Sequence, residues 1–159
     1  MAHKTGHVTP INPVDVLDST YVQRQISRAQ ENITKDPELA IGTAKELLET
    51  TCKSILAKLR EPLEDDLPAL VRATLKRIDT GVTGAADAAR AGSALRRLTG
   101  SLSGLGAAIA EVRNAIGTGH GRDASMGDID PMYARLAVNA TATLVTFMMD
   151  RFRAIHNIH

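Results

Sequence analysis

A chain of 159 residues suits one domain with a sizeable core. Hydrophobic residues make up 43%, but aromatics only 3% and Trp is absent, so Ala, Leu, Ile and Val must build that core, which favours packed helices over a sheet sandwich. The formal net charge of +1 gives no general attraction to nucleic acid, and a nucleic-acid site must therefore be a local basic patch.

Cys52 is the single cysteine, which excludes an intrachain disulfide and a cysteine-built zinc cage; at an apolar helical position it reads as a small buried hydrophobe. No apolar run approaches the roughly 18 residues of a membrane span, and the first residues lack an apolar signal core. A soluble, cytoplasmic protein without membrane association is expected.

In chain order, residues 1–18 are polar, contain Pro10 and Pro13, and read as an extended arm before a helical domain over 19–159. A first helix is expected near Thr20, where Thr20 and Gln23 have capping-box spacing, with Val22, Ile26, Ala29 and Ile33 as its apolar stripe. Asp36, Pro37 and Glu38 combine an N-cap acceptor, a proline at the first helical position and a carboxylate at the positive dipole end. That second helix runs to about Leu59 and turns Ala44, Leu48, Cys52, Ile55 and Leu59 inward. A third follows Asp66 and carries Leu67, Leu70, Val71, Leu75 and Ile78.

Gly81 and Gly84 suggest a loop, and residues 85–91 a helical extension. From Ser93, the residues Leu95, Leu98, Leu102, Leu105, Ile109, Val112 and Ile116 alternate by three and four, a seam over three heptads. Gly100, Ser103, Gly104 and Gly106 weaken this helix, which implies close approach by a neighbour. A last helix starts at Asp130 and Pro131, runs to about Ile155, and presents Leu136, Ala137, Ala140, Leu144, Phe147, Met148 and Phe152 as its apolar face. No alternating strand pattern occurs. The fold class is all-α, a bundle of about five helices with a glycine-rich loop at 117–129.

The most informative segment is Arg113–Gly121, RNAIGTGHG. On an unbroken helix, Arg113 and His120 share a face but stand about 10.5 Å apart along the axis. Gly117, Gly119 and Gly121 permit left-handed backbone that folds His120 back toward the helix end. Arginine offers a planar donor fork for phosphate, and imidazole moves protons near neutral pH. A bland alternative is a helix C-cap, where glycine and cations are both expected. Three glycines around one histidine exceed what a cap needs. A P-loop is excluded, because the preceding strand and the Lys-Ser/Thr pair are missing. Metal binding is equally unattractive: His3, His7, His156 and His159 lie at the chain ends, and nothing places a second ligand one turn from His120.

Three blocks together resemble the abortive-infection C-terminal family of the HEPN superfamily of helical ribonucleases. They are Ala44–Lys53 (AKELLETTCK), Glu111–Gly121 (EVRNAIGTGHG) and Ala134–Ala140 (ARLAVNA), and the resemblance spans about residues 20–156. Arg113, the polar Asn114 and His120 match the superfamily motif of arginine, a polar residue and histidine, here with six intervening residues. The resemblance implies a HEPN-like antiparallel bundle and a metal-independent endoribonuclease, without cofactor, acting in phage defence or as a toxin. RNA would be its substrate. A homodimer would face two Arg113–Asn114–His120 sets across one groove, with an antitoxin or another defence-system protein as a further partner.

In that reading Arg113 holds the phosphate, His120 transfers protons and Asn114 orients. Glu49 and Lys53 on the second helix are supporting candidates, Glu49 as a carboxylate able to orient Arg113; the dull reading of Glu46 and Glu49 is a solvated face. Arg96, Arg97 and Arg122 are candidates for RNA backbone, though each alone is an ordinary surface cation. The alternative function is a non-catalytic helical dimerisation or RNA-binding module of a defence system.

Overall fold

The computed structural model describes residues 18–78, 88–116 and 129–156. They form α1 (Ser19–Glu31), α2 (Pro37–Lys58), α3 (Leu67–Ile78), α4 (Ala88–Ile116) and α5 (Pro131–His156), with no strand among the described residues. The all-α architecture expected from composition and periodicity is the observed one. The arm at 1–17 and the Gly81–Gly84 segment lie outside the described residues.

Four of these helices begin on an aspartate. Asp18 accepts from the Thr20 amide at 3.0 Å, Asp36 from Leu39 at 3.0 Å, Asp66 from Ala69 at 2.8 Å and Asp130 from Met132 at 2.9 Å. Each carboxylate satisfies an amide that the first turn leaves without an intrahelical acceptor. The cap of α1 is thus Asp18, not Thr20, and the helix starts at Ser19. At the other end of α2, Arg60 takes the left-handed conformation (φ 57°), with the Glu61 amide donating to Leu56 O and the Arg60 amide to Ala57 O. That is a Schellman closure built without glycine.

Two apolar clusters hold the bundle together. The first joins Val22 and Ile26 of α1, Leu47–Leu56 of α2, the inner face of α3 and Leu144–Phe152 of α5. The second joins Ala29 and Ile33, Ala40, Ile41 and Ala44, Ile109 of α4, and Ala134, Ala137 and Val138 of α5. Alanine dominates the second cluster, so backbones approach closely there. The shared halves fix the directions. α1 runs antiparallel to α2, whereas α2 and α5 run the same way, and the carboxyl-terminal part of α4 meets the start of α5 at Ile109; Cys52 Sγ of α2 donates to Met148 Sδ of α5 at 3.8 Å.

Two apolar faces read from periodicity are corrected. On α4, Ile109 is buried and Leu105 partly buried, but Leu95, Leu98 and Val112 are exposed, Leu98 at 52%. The seam does not serve the bundle along its whole length, because the amino-terminal half of α4 extends past the second cluster. On α5, Leu136 is 64% exposed. The rest of the expected face holds: Ala137, Leu144, Met148 and Phe152 are buried and Phe147 is partly buried, while the core adds Ala134, Val138 and Val145 on the side of the helix away from Leu136.

Gly100 and Gly104 also depart from expectation. Both are exposed, and a Cβ on either would meet nothing within 4 Å, so no described helix approaches α4 there. Replacing both with alanine should therefore raise stability by about 1–2 kcal/mol through helix propensity and reduced unfolded-state entropy. Urea denaturation reports this as a higher midpoint at unchanged slope. An unchanged or lower midpoint would mean that a neighbour packs on these positions in solution.

Candidate functional site

The end of α4 and the start of α5 frame the segment singled out by the sequence. Leu105 and Ile109 anchor α4 in the second cluster beside Ala134, Ala137 and Val138. The final residues of α4, which include Arg113 and Asn114, therefore reach the end of the bundle where α5 begins. The side chains of Arg113 and Asn114 lie outside the described residues, as do Gly117, Gly119, His120, Gly121 and Arg122. A cation near the last turn of α4 complements the negative end of the helix dipole whatever else it does.

Three features surround this point. Ile129 packs against the second cluster immediately before α5. A cleft of about 440 Å³ opens between the α1–α2 turn and the start of α5, lined by Thr34, Lys35, Asp36, Pro37, Ile129 and Pro131 among others. Across the first turns of α5, Met132 (65% exposed), Tyr133 and Leu136 turn away from the core, and Val112 is exposed near the end of α4. Sequence reasoning missed Met132 and Tyr133, and it read Leu136 as core. The available signal was the continuation of apolar residues onto both sides of α5.

Glu49 and Lys53 are brought together. Lys53 Nζ donates to Glu49 Oε1 at 2.6 Å, one turn apart on α2, with both side chains substantially exposed. Such an i,i+4 pair contributes a few tenths of a kcal/mol at most. Glu46 is exposed on the same helix, as a solvated face predicts. Glu49 belongs to the half of α2 in the first cluster, whereas the Arg113 end of α4 continues from the second. Arg96 and Arg97 are exposed near the other end of α4, with about 24 Å of helix axis between Arg97 and Arg113.

Cys52 is the buried nucleophile-bearing residue of the described core, and it is chemically quiet. Burial pushes its thiol up to about 12; the Thr74 hydrogen bond works in the opposite direction, and the Glu49 charge adds to the rise. A thiol that holds its proton at neutral pH is not a catalytic nucleophile. Among the described residues, no group of three His, Cys, Asp or Glu has the arrangement to hold a metal ion. No described helix is long and apolar enough to cross a membrane.

A family model for a HEPN-like domain, Abi_C, matches residues 20–152. The chain belongs to the HEPN-like Abi_C family. The match starts at the beginning of α1, ends near the carboxyl end of α5, and includes the whole connection between α4 and α5. No curated protein and no solved structure matches the chain. The HEPN-like assignment thus rests on the family pattern and agrees with the all-helical bundle. It also links the protein to abortive infection, the defence process for which the family is named.

The Cys52 environment gives a pH test of the core. Unfolded, the thiol ionises near its ordinary value of 9.0; folded, it keeps its proton to about 12. The stability tied to this proton is complete below pH 9 and declines as pH rises from 9 toward 12, by at most about 1.4 kcal/mol per unit. Urea melts at pH 8 and pH 10.5 should show this loss in the native sequence and a smaller one in Cys52→Ala. Equal losses in both would place the sensitivity elsewhere.

Proposed function

We propose that this HEPN-like protein is a metal-independent endoribonuclease of abortive-infection defence. The observation that carries the reading is the family match across residues 20–152, which includes a chain segment with both Arg113 and His120 intact. In RNA, the 2′-hydroxyl attacks its own adjacent phosphorus, so no external nucleophile is required. Three tasks then remain: removing the 2′ proton, stabilising the added negative charge on phosphorus, and protonating the departing 5′ oxygen.

Arg113 is assigned to the phosphate, where its donor fork holds the non-bridging oxygens as charge builds. His120 is assigned to proton transfer, and Asn114, which cannot titrate, to orientation by hydrogen bonding. One imidazole cannot take the 2′ proton and donate to the leaving oxygen in the same event. In a two-fold dimer, His120 of one protomer accepts the 2′ proton while His120 of the partner subunit protonates the 5′ oxygen; the P–O5′ bond breaks as the P–O2′ bond forms, and the products are a 2′,3′-cyclic phosphate and a 5′-hydroxyl.

The exposed Met132, Tyr133 and Leu136 on the first turns of α5 support the dimer, since large apolar groups side by side on a surface mark interaction sites, and Val112 is exposed near the end of α4. They flank the same end of the bundle as the last turn of α4. Farther along α5, the outward positions of the helix are Asn139, Thr143, Thr146 and Asp150. Glu49 and Lys53 stay outside the assigned chemistry.

With diverse RNAs as substrate, cleavage should survive EDTA, and His120→Ala or Arg113→Ala should each reduce it by at least about 10²-fold with helicity intact. A single 2′-deoxy ribose at the scissile position should block cutting there. Mass spectrometry of the fragments decides the chemistry: 3′-hydroxyl and 5′-phosphate ends would overturn 2′-hydroxyl attack. Full retention of cleavage in both variants would overturn the residue assignment. Absence of cleavage across RNAs, including in phage-infected extracts, would point to a non-catalytic dimerisation or RNA-binding module.

The assembly has its own test. Light scattering at micromolar concentration should report a dimer, and Leu136→Glu should yield a helical monomer with RNase activity lost. A native protein that is monomeric and active would remove the composite site.

A further inference from the structure

The charges of this chain nearly cancel overall, but they are not evenly distributed. Residues 18–58, covering α1 and α2, interleave cations and carboxylates, as in the Glu49–Lys53 pair. α3 carries Arg72, Lys76 and Arg77 with no Asp or Glu, and the segment before it carries Glu61, Glu64, Asp65 and Asp66. α4 carries Arg90, Arg96 and Arg97 and meets its first carboxylate only at Glu111. These two helices pack on one another, and all six cations are on exposed residues. The segment joining them contributes Asp79 and Asp87 to the sequence and lies outside the described residues.

Placement sharpens the pattern. Arg72, Lys76 and Arg77 line a groove of about 600 Å³ between α3 and the chain that follows α2, with Ala69 and Ala73 between them and Glu61 and Glu64 on the facing wall. Arg77 is held by Glu61. On α4, Arg90 and Arg97 are seven residues apart and share a face. Like charges one turn apart, as at Arg72 and Lys76, repel one another and weaken the helix that carries them. A polyanion that spans both helices reverses the sign of that repulsion.

We propose that the α3–α4 surface is a track for the backbone of single-stranded RNA, remote from the candidate site at the end of α4. The proposal rests on RNA being the substrate, as argued above, and adds where the strand runs beyond the scissile phosphate. About 24 Å of helix axis separate Arg97 from Arg113, so a strand that reaches the track extends several nucleotides past the candidate site. Cations that contact phosphate position the strand without reading its sequence. A membrane surface fits these observations less well, because the spaces between the α3 cations hold alanines instead of the large apolar groups that an interfacial helix buries. Leu95 and Leu98 on α4 are the feature that a membrane would use.

The experiment measures binding separately from cutting. Fluorescence anisotropy with a labelled 20-nucleotide oligouridine is read across a salt series on full-length protein carrying His120→Ala. The same measurement follows Arg72→Gln/Lys76→Gln/Arg96→Gln/Arg97→Gln, with Arg24→Gln/Arg28→Gln/Lys35→Gln/Lys45→Gln as a control removing equal charge from α1, α2 and the turn between them. Circular dichroism confirms that each folds. The α3–α4 variant should bind at least 10-fold more weakly and lose about 2–3 from the slope of log K against log salt, at about 0.7 per phosphate contact. The control should lose less than 3-fold.

Equal losses in both variants, or none in either, would overturn the track whatever the RNase assay gives. Binding of phosphatidylglycerol vesicles that the α3–α4 variant abolishes, with oligouridine binding untouched, would assign the surface to a membrane and also overturn it. Track-dependent binding without any cleavage would uphold the surface and sink the RNase reading. Cleavage with an intact Arg113–His120 requirement but no track dependence would do the reverse.

Discussion

α2 must be enclosed on most of its circumference, and the rest of the bundle follows from that requirement. Its buried residues run from Ala40 to Leu56 and leave one narrow solvent stripe that includes Glu46 and Lys53. A helix that is apolar around so much of its surface is stable only inside a shell of others. α1 covers it antiparallel, α5 lies along it in the same direction, and α3 and α4 close the remaining side. Running α5 codirectional with α2 requires the chain to return between them, and α3 with α4 is that return. The candidate site sits where the return ends, because α4 must then hand over to the start of α5.

The parts of this arrangement legible in sequence were those set by local chemistry. Asp36 with Pro37 and Asp130 with Pro131 announce helix starts, since an acceptor side chain followed by a ring without an amide hydrogen leaves few other conformations. Val22, Ile26, Ala29 and Ile33 were readable as one face because the opposite face of α1 is polar. α5 was not readable in the same way. Its first turns put Met132, Tyr133 and Leu136 outward and Ala134 and Ala137 inward, so apolarity alone does not mark the buried side there, whereas farther along Asn139, Thr143 and Thr146 do. The choice came from the small residues: Ala134 and Ala137 fit the tight second cluster, which Leu136 does not. The seam on α4 failed for a different reason. Its spacing is regular throughout, but of its described members only Ile109, and Leu105 in part, enter a core cluster.

For the site, residue type and spacing identify Arg113, Asn114 and His120, whereas the glycines that flank His120 remove the geometric rule which would turn spacing into distance. A helix fixes where residue i+7 lies; Gly117 and Gly119 end that inference three residues before the histidine. The cations of α3 were invisible to motif reasoning because charge segregation is a property of which helices pack together, and a net charge of +1 conceals it.

The outer stripe of α5 ties assembly to chemistry in the proposed enzyme. Ala134, Ala137 and Val138 pull one side of the helix into the core beside Ile109 of α4, and the opposite side presents Met132 and Leu136 outward. A second copy docking on that outward side presses on a helix whose inner side sets the position of the α4 terminus. The inner contacts of α5 include Ala134 and Ala137, which allow close approach and leave little soft volume to absorb a displacement. A shift of α5 at the interface is therefore transmitted to the last turn of α4, where Arg113 and Asn114 reside. In the enzyme proposed above, dimerisation would therefore do more than bring two histidines to one groove, since the helix at the interface also seats the last turn of α4.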